Sequence, residues 1–505
     1  TRNDNILDLI LTNFPDLIPE LSVIENFVDS DHRSVLFKIK TGNNYESVGK
    51  RTVFNYKKAN WDELKRTLSY IPWHVAMLDE DINQNLIKCE DLLWAAINEF
   101  IPTKQAKNKH TPPWIDREVK NLCRKKDQTS RKAHIERFKQ LRKDVKRLLN
   151  NKYQAYLTTL ADSVQSEPKK FWSFYSVKTK SKRIPNALKR TKEDKTPVTN
   201  SLDKANMFNE FFNSVFNNSS NEPEIPGTHE PVSKDLGQLS EVYVQVSDVK
   251  KSSRDLQASK SPGPDELTAC LLKELSNEIS EPFTKIMNLS LQQGVFPTKW
   301  KDAYFTPVSK SDPKNVVTNY RGIALLSILS KAFEKCINTR LYSHVEGILS
   351  HNQHGFRKSR SCITQLLDFV HSIAETLDNG GQTDVLYLDM AKAFDKVPHE
   401  KLIHKLEMYG IRNPLLDWFR DYLTGRRHRV IIDDVCSYWK EVHSGVPQGS
   451  ILGPTLFIIY INDISQNLSE HTCPPLYADD AKCYRKIKSA ADQHILQDDL
   501  HILMH

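Results

Sequence analysis

The stretch Pro474–Ile487, PPLYADDAKCYRKI, sets the adjacent carboxylates Asp479 and Asp480 between an apolar run and a second strand-like run. Acidic pairs are ordinary turn residues, since Asp side chains hydrogen-bond nearby backbone and tolerate tight conformations. What changes the reading is Thr383–Met390, TDVLYLDM, which reads as a continuous apolar strand of the buried type with Asp389 near its end, 90 residues before Asp479. A carboxylate there is costly unless a cation or hydrogen bonds compensate it. If Asp389 lies beside the Asp479-Asp480 turn, the like charges repel. Oxygen-only ligands suit a hard cation, Mg2+ or alternatively Mn2+, held by carboxylates and substrate phosphates. Two such ions about 3.5–4 Å apart stabilise the attacking and leaving oxygens of a phosphoryl displacement. The chemistry indicated is nucleotidyl transfer.

Between these stretches lies Ser444–Pro454, SGVPQGSILGP. Gly445, Gly449 and Gly453 with Pro447 and Pro454 permit a tight loop whose backbone approaches a ligand closely. Gln448 could contact a nucleotide, and the same segment could simply introduce the helix that continues as TLFIIYINDI.

The whole chain has 505 residues, enough for about three or four domains by length alone. Its 39% hydrophobic content and mean hydropathy of −0.54 argue against a membrane enzyme. The longest nearly unbroken apolar run, Ile451–Ile461, is interrupted by Gly453 and Pro454 and is shorter than the ~20 residues a spanning helix needs. The eight cysteines form no CxxC pair, which argues against a zinc module or a disulfide framework and fits a reducing compartment. Net charge is +8, but residues 101–195 carry 27 basic and 9 acidic side chains, +18 against −10 for the rest. Such a localised basic segment suits a polyanion.

Residues 5–40 read as short strands (ILDLILTN, VIENF and SVLFKIK) that cannot bury a core alone, with Ser30-Asp31-His32 before the last. Helical patterns fill 41–102. Trp114–Leu160 is expected to be a long basic helical stretch, with Phe138, Leu141, Val145, Leu148, Tyr153, Tyr156 and Leu160 forming an apolar stripe. It reads equally as a solvated helical hairpin and as a nucleic-acid contact. KKFWSFYSVKTKSKR, from Lys169, interleaves aromatics with cations, as single-stranded nucleic acid would require, although Phe171, Phe174 and Tyr175 at helical spacing could be core. The polar, Pro-rich 217–232 marks a boundary, beyond which helix and strand patterns alternate.

The ordered segments KSPGPDELTACLLKEL from Lys260, GVFPTKWKDAYFTPVSK ending at Lys310, NYRGIALLSILSKAFEKCI from Asn319, QHGFRKSRSCITQLL from Gln353, LDMAKAFDKVPH from Leu388, SGVPQGSILGP and YADD together resemble reverse transcriptases. The longer context resembles a non-LTR (LINE-type, jockey-like) retrotransposon polyprotein over about 220 residues. The resemblance implies an α+β, right-hand polymerase architecture of fingers and palm over 233–505, with an antiparallel palm sheet and helices. A mostly helical basic extension and linker would occupy 41–232. The C-terminal, β-rich remnant of an apurinic-type endonuclease would occupy 1–40. It also implies an RNA-directed DNA polymerase acting on an RNA template, a DNA target or primer and dNTPs, by target-primed reverse transcription. No membrane partner is expected.

Carried over by position, Asp389, Asp479 and Asp480 match the catalytic, metal-binding carboxylates. Lys310 and Arg321 match cations that grip the triphosphate. Phe394 matches the aromatic that sterically rejects a ribose 2′-hydroxyl, although it could equally pack the next helix. Gln448 and Gly449 match the loop lining the nucleotide, and Gln353, Gly355, Phe356 and Arg357 match a template-side motif. Asp31 and His32 match the last endonuclease motif, in which Asp orients a His that acts on the scissile phosphate.

Gly322 and Ala324 stand where the family usually carries Pro and Ser, and Glu266 where Gly is usual. The segment opens at Thr1 without a signal peptide and ends 25 residues after Asp480, so the later palm motifs and thumb are expected to lie outside it. Two other readings are an inactive nucleic-acid-binding remnant and a group II intron or retron-type polymerase; SILGP and the upstream Ser-Asp-His argue against the latter. The resemblance implies nuclear action at the integration site after assembly of a cytoplasmic RNA–protein particle. The basic cluster Arg124-Lys125-Lys126 with Arg131-Lys132 is a weak import-like signal.

Overall fold

The computed structural model describes residues 18, 20–24, 34–38, 52–105, 112–129, 135–179, 184–194, 196–217 and 237–504. It divides into two compact units, one of Gly49–Asn55 with Thr103–Pro185 and one of Thr1–Val48, Tyr56–Pro102 and Asn186–His505. This grouping cuts across the boundary read at 217–232, because residues 56–102 and 186–217 go with the part that follows. Asp31 and His32 lie outside the described residues.

β1 (Glu20–Ile24) and β2 (Ser34–Lys38) pair antiparallel, with Leu21 and Leu36 more than half exposed. β3 (Thr52–Phe54) opens the smaller unit, whereas α1 (Trp61–Tyr70) and α2 (Ile82–Phe100) belong to the larger one. The smaller unit resumes with β4 (Thr103–Gln105), antiparallel to β3. The basic stretch that follows holds two helices, α3 (Arg117–Gln128) and α4 (Ile135–Ser163), and then comes α5 (Pro168–Thr179). Asp116 caps α3 by accepting from Val119 N at 3.1 Å. The Lys152 ammonium on α4 meets Asp116 at 2.8 Å and Glu118 at 2.9 Å, closing α3 onto α4. Trp114 packs its ring 5.0 Å from Tyr153 and 5.9 Å from Phe174. Phe174 is therefore core, while Trp172 on the same helix is 63% exposed. The stripe from Phe138 to Leu160 forms the covered face of α4, and Lys139, Arg142, Lys143, Lys146 and Arg147 are exposed.

In the larger unit the chain continues as α6 (Ser201–Asn213), α7 (Val246–Arg254), α8 (Ala269–Glu274) and α9 (Ser276–Gln293). Asn200 starts α6 by accepting from Leu202 N and Asp203 N, and Gly294 ends α9 in the left-handed conformation at φ 67°. Next come β5 (Asp302–Ser309), β6 (Tyr320–Leu325), α10 (Ile328–Val345), α11 (Cys362–Asp378) and β7 (Gln382–Asp389). The remaining elements are α12 (His399–Met408), α13 (Leu415–Leu423), β8 (Arg426–Ile432), β9 (Val435–Cys436), β10 (Lys440–Val442), α14 (Leu452–Tyr460), β11 (Leu476–Tyr477), β12 (Asp480–Ile487) and α15 (Ala490–Met504). One sheet runs β10-β8-β5-β6, with β5 and β8 parallel, β9 pairing with β8, and the other neighbours antiparallel. The other sheet runs β11-β12-β7 and is antiparallel throughout. The fold is mixed α+β. Among the described residues no helix is long and apolar enough to cross a membrane.

One strand departs from expectation. β7 is not of the buried type: it pairs on one side only, with β12, among the described residues, and Tyr387 is 72% exposed. Its β-branched and aromatic residues favour a pleated surface whether or not both faces are covered.

The larger unit is held by an aromatic core in which Phe296 packs 5.4 Å from Trp418 and 5.0 Å from Tyr422, and Phe333 packs 5.3 Å from Trp418. All four are less than 2% exposed, and Trp418 Nε1 donates to Ser290 Oγ at 3.0 Å. Phe333 stands on α10, Trp418 and Tyr422 on α13, Ser290 on α9 and Phe296 just beyond the end of α9, so one contact joins the three helices. Trp418→Ala should cost about 3–5 kcal/mol, seen as an earlier urea transition of the larger unit. Tyr70→Ala, at an 81% exposed position, should stay within about 0.5 kcal/mol.

Candidate active site

β7 and β12 pair from Gln382↔Ile487 through to Asp389↔Asp480, so the last residue of one strand stands directly opposite the first of the other. Directly opposed residues project from the same face, and like charges there repel. Asp480 and Asp389 are both exposed, and Asp479 sits in the β11–β12 turn, half-buried. Among the described residues no three His, Cys, Asp or Glu side chains form a ready-made metal cage. Two opposed carboxylates with a third beside them at an open sheet end still fit a hard cation that completes its shell with phosphate oxygens and water.

The turn is held from behind by the segment read as template-side. Gln353, 2% exposed, accepts through Oε1 from Gly355 N at 2.8 Å and from Ala478 N at 2.9 Å. Its Nε2 donates to Ala478 O at 3.5 Å. Ala478, immediately before Asp479, adopts φ 57°, a conformation a non-glycine residue takes only under constraint. A Cβ on Gly355 would lie 2.2 Å from Ala478 N, so only glycine lets the two backbones meet. The Arg357 guanidinium donates to Leu349 O and Ser350 O, beyond the end of α10. Gln353, Gly355 and Arg357 are thus given over to packing and turn geometry. Of the four residues read as template contacts only Phe356 is exposed, at 51%.

The Ser444–Leu452 segment is laced to the chain that follows β7. Gly445 N donates to Val397 O at 2.7 Å, Val446 N to Phe394 O at 2.8 Å, and Ser444 Oγ to Asp395 O at 2.7 Å. Gln448 Nε2 donates to Asp395 Oδ1 at 2.7 Å, and Gln448 O accepts from Ala324 N of β6 at 3.1 Å. Gly449 has φ 122°, and a Cβ there would lie 2.5 Å from Ala324 O. The loop therefore joins the β7 exit to β6. Phe394 stacks on Phe457 of α14 at 4.1 Å and 14°, with Phe356 edge-on at 6.0 Å. Its ring is fixed on one face by packing.

Lys310 and Arg321 are exposed at one end of the β5–β6 hairpin, where Lys310 N donates to Asn319 O at 2.8 Å and Val308 pairs with Arg321. The structure adds two residues that the motif reading left out. Burial pushes the Lys392 ammonium below its ordinary pKa; Asp395 opposes this, and the charges of Arg321 and Lys310 add to it, so the three cations share one neighbourhood. Burial also raises the Asp395 carboxyl, against the Lys392 charge and the Gln448 hydrogen bond. Their sequence signal is KAFD, which begins three residues after Asp389; in the fold Lys392 adopts φ 57°. The departures at 322 and 324 are accommodated: a Cβ on Gly322 would lie 2.8 Å from the Phe305 ring and 3.1 Å from that of Phe212, so α6 fills that space. Glu266, where the family usually has Gly, is held at φ 57°.

Residues 308–500 match the reverse transcriptase (RNA-dependent DNA polymerase) family. The chain is 31% identical over 246 residues to the probable RNA-directed DNA polymerase from transposon BS of Drosophila melanogaster, covering 47% of this chain and 27% of that protein. It is 34% identical over 211 residues to the probable RNA-directed DNA polymerase from transposon X-element of the same species, covering 41% and 23%. With the RNA-directed DNA polymerase from its mobile element jockey it shares 30% identity over 255 residues, covering 49% and 28%. The matched stretches thus span about a quarter of the length of these relatives. Residues 308–500 carry a reverse transcriptase domain, and the resemblance to the non-LTR, jockey-like enzymes holds.

The brace behind the turn leads to a prediction. Gly355→Ala must shift Ala478, and a misplacement of about 1 Å at a reacting centre can cost about 100-fold in rate. Primer extension by Gly355→Ala should fall by that order while its circular dichroism stays like the parent's; unchanged extension would show that the brace does not set the turn.

Proposed function

We propose that this chain is the fingers and palm portion of an RNA-directed DNA polymerase of a non-LTR retrotransposon, extending a DNA 3′-hydroxyl with dNTPs on an RNA template. The observation that carries the reading is the Asp389–Asp480 register beside Asp479, set within a matched reverse transcriptase segment. Asp389, Asp479 and Asp480 would hold divalent metal, Mg2+ or Mn2+, whose chemistry when bound is to lower the pKa of the attacking hydroxyl and neutralise charge on the phosphates.

The remaining roles belong to side chains. Lys310 and Arg321, with Lys392 nearby, would pair with triphosphate oxygens, the planar guanidinium in a fork and the ammonium groups as point charges. The Gln448–Gly449 backbone, packed on β6, would floor the nucleotide, and the Asp395 hydrogen bond fixes the Gln448 amide. Phe394, braced by Phe457, would present a rigid edge where a 2′-hydroxyl would stand. Selection against ribonucleotides then comes from sterics. Phe356, the exposed member of its motif, is the one suited to meet a template base.

The smaller unit supports a nucleic-acid role of its own. Its exposed cations on α4 border an open hollow of about 710 Å³ lined by Trp114, Tyr153, Lys143, Lys146, Arg147 and Lys178. Lys178 Nζ lies 4.4 Å from the Tyr153 ring centroid, so cation and aromatic face stand together as a phosphate and a base require. The RNA template or the target DNA would be the ligand. Target-primed synthesis at a nuclear integration site, after assembly of a cytoplasmic RNA–protein particle, and an endonuclease remnant carrying Asp31 and His32, complete the proposal.

Primer extension on an RNA template with dNTPs and Mg2+ tests the polymerase. Asp389→Asn and Asp480→Asn should each abolish detectable extension, and retained extension in either would refute the assignment. The smaller unit is tested by salt. Replacing Lys143, Lys146 and Arg147 together by Gln should flatten the log Kd against log salt slope for single-stranded RNA by about 2, at about 0.7 for each phosphate no longer neutralised; an unchanged slope would make these residues scaffold.

A further inference from the structure

The most deeply buried carboxylate near the site has no part in the chemistry proposed above. Glu334, in the second turn of α10, has no exposed surface. Its Oε2 accepts from Ile451 N at 2.7 Å and Leu452 N at 3.3 Å, and its Oε1 accepts from Ser330 Oγ at 3.2 Å. The two amides belong to the first turn of α14, where backbone N–H groups have no helical partner and the helix dipole favours a negative charge. The neighbouring cation is Arg426, 4% exposed, which donates to Tyr422 O at 2.7 Å with its guanidinium 4.8 Å from the Tyr422 ring. Burial raises the pKa of Glu334, and Arg426 and the two amides oppose that rise. A fully buried carboxylate is costly to keep, and a hydrophobic residue would fill the same space. Its position therefore matters. Ile451 is two residues beyond Gly449, whose backbone is pressed against Ala324 of β6.

We infer that Glu334 is a positioning residue for nucleotide binding: its carboxylate clamps the start of α14 and so fixes where Gln448 and Gly449 stand. Side-chain carboxylates then hold the loop on both sides of Gly449, Asp395 upstream through the Gln448 amide and Glu334 downstream through the Ile451 and Leu452 amides. Between them Gln448 and Gly449 lie against Ala324 of β6. Ser450 is itself held, accepting from Gly453 N at 2.8 Å. Without the downstream anchor the floor gains freedom, and the binding site becomes less pre-organised. The inference rests on the polymerase reading above, because it assigns the loop to the incoming nucleotide.

The test separates positioning from scaffolding with two variants of the full chain. Glu334→Gln keeps the shape and one acceptor. Glu334→Leu with Arg426→Met removes the carboxylate together with the buried cation whose charge acts on it, so that neither is left as an uncompensated buried charge. The readouts are melting temperature, hydrogen exchange at the Ile451 and Leu452 amides, and kcat and KM for dNTP, with equilibrium affinity for a fluorescent dNTP alongside. We expect the double variant to melt below the parent, because the Ile451 and Leu452 amides lose their acceptor, to exchange both amides at least about tenfold faster, and to raise KM about tenfold with little change in kcat, the pattern of weakened binding. Glu334→Gln should shift KM in the same direction by less. Parental KM and dNTP affinity in a folded double variant would overturn the inference, as would faster exchange without any change in affinity. A parent that extends no primer would refute the polymerase reading instead, and the fluorescent dNTP affinities would still judge Glu334. If the double variant does not fold, Glu334→Gln decides alone: parental affinity overturns the inference and weakened affinity supports it.

Discussion

Two like charges set opposite one another across an antiparallel strand pair are the constraint on which the rest of this structure depends. The register of β7 against β12 brings Asp389 and Asp480 to one end of one face, where like charges directly opposite one another are destabilising. A strand pair selected for stability alone would slip or carry neutral residues there. The surroundings hold this arrangement in place. Gln353 and Gly355 brace Ala478 at a positive φ, the Ser444–Leu452 segment is tied to the exit of β7, and α14 stacks Phe457 on Phe394. Interactions formed elsewhere in the fold stabilise a geometry that is locally unfavourable, as is expected at a site built for a ligand.

Much of this was legible in the sequence, and the parts that were not share a physical cause. The carboxylate turn, the glycine–proline loop and the strand ending at Asp389 could be read because turns, tight loops and strands leave local signatures. What a side chain faces is set by tertiary packing. Gln353 and Arg357 looked like surface polar residues in a motif, yet the first is sealed beneath the turn and the second is spent on backbone carbonyls. β7 looked buried because an apolar run has the same composition whether one or both of its faces are covered. Glu334, Lys392 and Asp395 were passed over since charged residues in helices and after strands are usually solvated. Only the fold shows that Glu334 is enclosed against a helix N-terminus.

The charge asymmetry acquires a spatial meaning as well. The excess of cations lies in residues 101–195, which supply most of the smaller unit, while the carboxylate turn lies in the larger. Within the larger unit the charges of Lys310 and Arg321 act on the Lys392 ammonium; under the proposed reading these three cations would be the ones to meet a triphosphate.

The polymerase reading turns on divalent-cation binding by Asp389 and Asp480 with Asp479. Mn2+ binding followed by electron paramagnetic resonance, with and without dNTP, compares the parent with a variant carrying Asp389→Asn and Asp480→Asn. The parent should hold Mn2+, more tightly with dNTP because phosphate oxygens complete the shell, and the variant should lose the bound signal. Equal Mn2+ binding by the two proteins would refute the site.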